Sequence, residues 1–197
     1  MHLAGKTMAS TLRPMILFWF GQLLAYMRRS DRALALFREV AAQNPSHQQA
    51  WSSIGFLLAE KGELEPALQA FEKALALDPG DAPARFNIAF VLQRLGRHED
   101  AIEGFKRTLE ADDKVDRAWY GIGLSLCSLG RYEEAIERFT EAARLQPMNP
   151  YAGYQLAGTW HKLGQHDKVR AEYERIKGFD PKVAERIRQE FGVMRKQ

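Results

Sequence analysis

The residues best equipped for chemistry are Cys127, the only cysteine, and five histidines: His2, His47, His98, His161 and His166. A thiol beside an imidazole could make a nucleophile and its base, which requires hydrogen-bond reach between them. Cys127 and His161 lie 34 residues apart, at equivalent points of a repeating pattern, and so face the same side of neighbouring elements. Neighbouring helices pack about 8–10 Å apart, beyond that reach. A small half-buried thiol and a surface-lining imidazole are the simpler reading. His161 and His166 bring no third ligand at metal spacing, and His2, His47 and His98 are isolated. Ala4-Gly5-Lys6-Thr7 has the end of a phosphate loop but lacks its upstream glycine and preceding strand. The carboxylates cluster where helices begin, where dipole pairing explains them. The expectation is no enzyme activity, no catalytic residues, no metal and no cofactor.

Length and composition bound the class. The chain has 197 residues, 46% hydrophobic and 27% charged, which suits a soluble globular domain or a short repeat array. Lys and Arg total 28 against 25 Asp and Glu, too balanced for a nucleic-acid partner to be expected. A single cysteine rules out an internal disulfide framework.

A period of 34 residues organises the chain. Phe37, Phe71, Phe105, Phe139 and Tyr173 recur at that spacing, each four residues after Ala33, Ala67, Ala101, Ala135 or Val169. Eight residues further on stand Pro45, Pro79, Asp113, Pro147 and Pro181. Upstream in each copy come Gly21, Gly55, Ala89, Gly123 and Ala157, and the turn position reads Arg28, Gly62, Gly96, Gly130 and Gly164. Each copy reads as two helices. Arg85, Ile88, Ala89 and Leu92 give the apolar stripe of a first helix, and Gly96 ends it with a left-handed residue. Acidic pairs such as Glu99-Asp100 and Glu133-Glu134 open the second helix. The small residue and the aromatic four later place a gap and a knob on one face, so that paired helices interlock.

These units, with Trp51, Ile54-Gly55, Leu58, Ala67, Phe71, Ala74 and Pro79 in one copy and Trp119, Ile122-Gly123, Leu126, Ala135, Phe139, Ala142 and Pro147 in another, resemble the tetratricopeptide repeat. The resemblance covers about 170 residues and implies an all-α, right-handed superhelix, an α-solenoid of five helix-turn-helix repeats. The expected repeats are 14–47, 48–81, 82–115, 116–149 and 150–183, after a flexible N-terminus 1–13 and before a capping helix and tail 184–197. Arg28 for the turn glycine, Asp113 for proline and Gly153 for tryptophan depart from the pattern and put local geometry, not the fold, in question.

The resemblance further implies a noncatalytic scaffold or adaptor whose first helices line a concave groove for a partner peptide or subunit. The matching positions are Phe18, Gln22, Phe56, Phe86, Asn87, Phe90, Tyr120, Leu124, Tyr154 and His161. Such an aromatic groove with few charges would take a peptide by apolar anchors. The same side chains could instead fill space between adjacent first helices, and both readings stay open. The family's clamp for a C-terminal carboxylate needs Lys, Asn and Arg at positions that hold Phe18, Gln22, Ser53, Phe86 and Phe90, or one repeat later Ser52, Phe56, Asn87, Tyr120 and Leu124. Only Asn87 fits, so that subclass is not expected.

The segment Met15–Met27 raises a second surface. At 1.5 Å per residue it reaches about 20 Å, short of the roughly 30 Å bilayer core, and Gly21-Gln22 interrupt it. Tyr26-Met27-Arg28-Arg29 is no small-residue cleavage site, so neither a spanning helix nor a signal peptide is expected. Core packing accounts for Leu17, Phe20, Gly21 and Leu24 and leaves Ile16, Trp19 and Leu23 pointing elsewhere. These three are candidates for a homodimer seam, for docking on a hydrophobic subunit, for shallow contact with a membrane, or for cover by residues 1–13. The alternative to an adaptor is accordingly a structural subunit or assembly factor of a membrane-associated complex. A cytoplasmic place is expected, with a peripheral one at such a complex as the alternative. The composition fits a bacterial source.

Overall fold

The structure, a computed structural model, describes residues 2–193, with side chains from residue 12 onward. It is all-α: the described residues form eleven helices and no strand. They fall into two compact units, one ending at Leu95 and the next starting at Gly96. The first holds α1 (His2–Tyr26), α2 (Ser30–Gln43), α3 (Gln48–Lys61), α4 (Leu64–Leu77) and α5 (Ala82–Arg94). The second holds α6 (His98–Ala111), α7 (Asp116–Ser128), α8 (Tyr132–Leu145), α9 (Pro150–Lys162), α10 (His166–Lys177) and α11 (Pro181–Phe191). Inside each unit every helix packs on its neighbours in sequence, and α11 also rests on α9. That is the low-contact-order stacking of repeat proteins.

The helix interface follows from two residue types. Phe37, Phe71, Phe105 and Phe139 are fully buried, each one turn after a fully buried alanine. On the facing helix, a Cβ placed on Gly21, Gly55 or Gly123 would lie 2.7, 2.8 or 2.5 Å from the nearest ring atom of Phe37, Phe71 or Phe139. At these three positions the ring occupies the volume that a side chain would claim, and glycine lets the helices come this close.

Helix ends obey the expected chemistry. Gly62, Gly96, Gly130 and Gly164 take φ between +70° and +82°, and Arg28 adopts the same left-handed region at φ +57°. Three first helices, α3, α5 and α9, are capped by side chains: His47 Nδ1 accepts from the Ala50 amide, Asp81 from Ala84 and Asn149 from Tyr151, whereas Val115 before α7 offers none. Second helices rely on Asp31, Glu65, Glu99, Glu133 and Asp167 in their first turns.

The three departures from the repeat pattern each have a local solution. Arg28 simply takes the turn conformation. At the third repeat the Asp112 carboxylate accepts the Lys114 amide at 2.9 Å, the same turn bond that Asn44 and Asp78 make beside Pro45 and Pro79, so the turn closes without the proline. The Gly153 solution is less direct. In the second and fourth repeats an indole donates to the carbonyl six residues before it: Trp51 Nε1 to Pro45 at 2.9 Å and Trp119 Nε1 to Asp113 at 2.8 Å. In the third, Arg85 Nη2 does this to Pro79 at 2.6 Å. In the fifth, Arg175 reaches across from α10 and donates Nη1 to the Pro147 carbonyl at 3.2 Å. It holds the Glu172 carboxylate at the same time, in the space a side chain on Gly153 would need. An inter-helix arginine replaces the tryptophan's hydrogen bond.

Two boundaries differ from expectation. α1 starts at His2 and runs through Pro14, so residues 2–13, expected to be flexible, belong to a helix that continues into the first repeat. Pro14 removes one backbone hydrogen bond there without ending the helix. The last helix begins at Pro181, a helical first-turn proline capped by Asp180, ahead of the expected start at 184. Residues 194–197 of the expected tail lie outside the described residues, as do the side chains of Ala4-Gly5-Lys6-Thr7.

Candidate functional site

In the first unit, α1, α3 and α5 present an open groove of about 800 Å³, lined by Gln22, Ser52, Ser53, Phe56, Glu60 and Asn87, with Arg28 at one edge. A recess of about 500 Å³ shares Gln22, Ser52, Ser53 and Asn87 and is bounded by Phe18 and Asp81. The lining is mixed: Gln22, Ser52, Ser53 and Asn87 stand among Phe37, Phe56 and Leu57. The 34-residue period explains why: the positions one step around from the buried stripe alternate between polar residues such as Gln22 and Ser52 and aromatic ones such as Phe18 and Phe56 in this half of the chain. Aromatic rings frame the floor without covering it.

Hydrogen bonds fix most of that floor. Gln22 Nε2 donates to Ser53 Oγ at 3.2 Å. Gln48 Nε2 donates to Ser52 Oγ at 3.2 Å and also to the Asp81 carboxylate, which accepts Ser52 Oγ at 3.3 Å and the Ala84 amide at 2.8 Å. Asp81 therefore does two things at once: it caps α5 and anchors the polar side chains of α3. Among the described residues, the Asn87 amide has no internal hydrogen-bond partner and faces both the groove and the recess. It retains two donors and an acceptor.

The expected site residues of the first unit divide into two groups. Gln22, Phe56 and Asn87 line the groove together, and Phe56 is 53% exposed. Phe18 lines the recess, but its ring lies 5.5 Å from that of Phe37 and 4.8 Å from that of His47, so it is half structural. Phe86 is half-buried. Phe90 is exposed on α5, with the Arg94 guanidinium 5.9 Å from its ring, and is not among the lining of the groove.

In the second unit, packing within the chain takes up much of the expected surface. Tyr120 stacks on Phe139 at 5.6 Å and its hydroxyl accepts from Gln155 Nε2 at 3.2 Å. Leu124 is half-buried beside it. Tyr154, expected to face a partner, is held by the chain's own last helix. Its ring lies 5.5 Å from Phe191, the Arg186 guanidinium sits 4.4 Å above it, and its hydroxyl donates to Glu190. Burial, then the Glu190 bond, raises the Tyr154 hydroxyl above its ordinary value, while the Tyr154 and Arg186 bonds lower the Glu190 carboxyl. His161 is exposed at its edge yet rests 5.5 Å from Phe191 and 5.7 Å from His166. The physical reason is plain: α11 occupies the place of a sixth first helix, and so covers the surface of the fifth.

Cys127 Sγ lies 3.5 Å from Thr159 Oγ1, a contact between two half-buried or buried groups on α7 and α9. No group of three His, Cys, Asp or Glu residues among the described residues could hold a metal. Sequence reasoning missed Ser53, Gln48 and Asp81 as parts of the site. Their signal was positional: Ser53 and Asn87 occupy the repeat position at which the second unit carries Gly121 and Gln155.

Comparison with known proteins is consistent throughout. Family models described as tetratricopeptide repeat match residues 20–82 and 58–122, and one described as TPR repeat matches 123–164. No curated protein sequence matches the chain. Solved structures resemble it in fold. A MamA double mutant labelled RS-1 superposes with a TM-score of 0.81 at 20% identity, over 85% of this chain and 94% of that one. MamA from Desulfovibrio magneticus RS-1, residues 41 to the end, gives 0.76 at 21% identity, over 90% and 96%. YrrB, described as a TPR protein with an unusual peptide-binding site, gives 0.73 at 21%, over 88% and 90%. At these identities the likeness is one of fold.

Proposed function

The chain belongs to the tetratricopeptide repeat family, and from that premise we propose that it is a noncatalytic scaffold that binds an extended segment of a partner protein in the groove of its first unit. The observation that carries this reading is the free amide of Asn87 over a groove in which its polar neighbours Gln22, Ser52 and Ser53 are already engaged. A primary amide can donate to one backbone carbonyl and accept from one backbone N–H, and so grip a peptide unit whatever its side chain. Exposed Phe56 beside it supplies an apolar anchor. Helices α1, α3 and α5 hold these groups at fixed separation, so little conformational entropy is lost on binding. YrrB, with its peptide-binding site on the same fold, supports the class of ligand.

Panning a random peptide display library on the full chain tests the proposal. Selected peptides should bind the wild type in fluorescence anisotropy, and Asn87→Ala should weaken them about tenfold, the net worth of one to two hydrogen bonds. Phe56→Ser should weaken them by a similar factor, whereas Phe90→Ser, outside the groove lining, should not. Selected peptides that bind all three variants like the wild type, or a library that yields none, would move the binding surface elsewhere.

A further inference from the structure

The face of α1 that points away from α2 has no counterpart among the other described helices. In later first helices the equivalent positions turn toward the preceding second helix, as Gly121 does against the Phe105 ring of α6. Ala50, Ile54 and Leu57 are buried there, and so are Ala118, Ile122 and Ser125. One repeat before Ala50, Ile54 and Leu57 stand Ile16, Phe20 and Leu23, at 61%, 52% and 51% exposure, with Trp19 at 67%. Met15 and Met27 extend the stripe. The side chains are also of the wrong kind for a stacked helix. Ala50, Ala84, Ala118 and Ala152 allow close approach, whereas Ile16 with Trp19 builds a bulky ridge.

Charge says what covers this ridge. Residues 1–30 contain Lys6, Arg13, Arg28 and Arg29 and no Asp or Glu, so the net positive charge of the chain resides there and the remainder, with 25 Asp and Glu against the other Lys and Arg, is close to neutral. Arg28 and Arg29 are exposed and have no acidic partner among the described residues. Arg13 pairs with Glu39 at 2.9 Å across an exposed surface, a bond readily exchanged. A second copy is a poor occupant. Antiparallel pairing about Trp19 and Phe20 sets Arg13 opposite the other copy's Tyr26, within one helical turn of its Arg28 and Arg29, and parallel pairing sets each arginine against itself. A surface of negative charge over an apolar layer matches both features. From Leu12 to Met27 the exposed stripe is about 22 Å long, too short to cross the roughly 30 Å bilayer core. Accordingly, no helix among the described residues is long and apolar enough to span a membrane.

We propose that α1 lies flat in the interface of an anionic lipid bilayer, with Ile16, Trp19, Phe20 and Leu23 among the upper acyl chains and Arg13, Arg28 and Arg29 on lipid phosphates. Trp and Tyr favour that depth, because their rings are apolar and their N–H or O–H stays wet. The helix is braced by α2 on its other side, so the membrane meets a preformed ridge. The first unit is thereby anchored through one helix.

Vesicle flotation of the full chain decides the matter, with phosphatidylcholine alone and with phosphatidylcholine containing phosphatidylglycerol. The chain should float with the anionic vesicles and remain at the bottom with the neutral ones. Ile16→Ser/Trp19→Ser changes only exposed positions and should retain native helicity while losing flotation. Arg28→Glu/Arg29→Glu should lower anionic-vesicle affinity about tenfold or more, and Asn87→Ala should not alter it, which separates this surface from the peptide groove. Flotation indifferent to lipid charge and to both double variants would overturn the proposal. So would absence of flotation together with self-association in sedimentation velocity that Ile16→Ser/Trp19→Ser abolishes, an outcome that assigns the ridge to a second copy.

Discussion

Gly123→Leu is expected to destabilise the second unit by about 1–3 kcal/mol, the cost of overpacking a well-filled core. The reason is specific. A Cβ on Gly123 would lie 2.5 Å from Cε1 of Phe139, 2.7 Å from Cδ1 and 2.9 Å from Cζ, and the Phe139 ring is fully buried with no room to retreat. Helix propensity works the other way, since leucine in a helix interior is better than glycine by up to about 1 kcal/mol. A loss therefore reports contact, not backbone preference. Urea unfolding followed by circular dichroism would measure it. Ser128→Leu, exposed on the same helix, should stay within about 0.5 kcal/mol. Shrinking the ring supplies the decisive control: Phe139→Leu alone leaves a void, but combined with Gly123→Ala the two changes should cost less than their sum. Strict additivity would mean that Phe139 does not sit on Gly123.

Much of this was legible in the amino-acid order. The Phe and Gly periods fix which faces meet, because a knob and a gap recurring in the same register leave one way to interlock. The exposed ridge of α1 was legible in part: Ile16, Trp19 and Leu23 had no place on the core stripe, but Phe20, expected in the core, is exposed with them. The site was less so. Position within a repeat identifies Gln22, Phe56 and Asn87 as groove residues, but not that Ser53 engages Gln22 or that Asp81 gathers Gln48 and Ser52. Those are side-chain choices among nearby donors, and period carries no information on them. Tyr154 shows a different limit. Its rank in the pattern equals that of Tyr120, and only the presence of α11 beyond it decides that its ring packs on Phe191 and under Arg186. Helix α1 shows a third: Pro14 marks a helix start by its own preference, yet the helix runs through it.

Arg175→Ala should be among the costliest single changes in the chain, about 3 kcal/mol in urea unfolding, because it strands a buried carboxylate. Glu172 is 7% exposed, and Arg175 Nε contacts both its oxygens at 3.1 Å. The arginine is itself partly exposed, which keeps the expected loss at the lower end for a broken buried pair. The same truncation also frees the Pro147 carbonyl, which Arg175 Nη1 satisfies at 3.2 Å. These two losses can be separated. Glu172→Leu/Arg175→Met removes both charges, and most of the stability should return, since a buried pair is often no better than apolar side chains of similar volume. What remains missing is the bond to Pro147, about 1 kcal/mol. Adding Gly153→Trp in a Glu172→Ala/Arg175→Ala background should then recover part of it, because Trp51 and Trp119 make that bond in their own repeats and only the terminal methyl of Ile176 still has to give way beside Gly153. In the wild-type background the same Gly153→Trp should destabilise, with the new side chain driven into Glu172, Arg175 and Ile176. A tryptophan tolerated equally well in both backgrounds would deny that Arg175 stands in for the indole. Opposite signs in the two backgrounds would establish that the fifth repeat meets the same hydrogen-bond requirement as the others through a residue on a different helix.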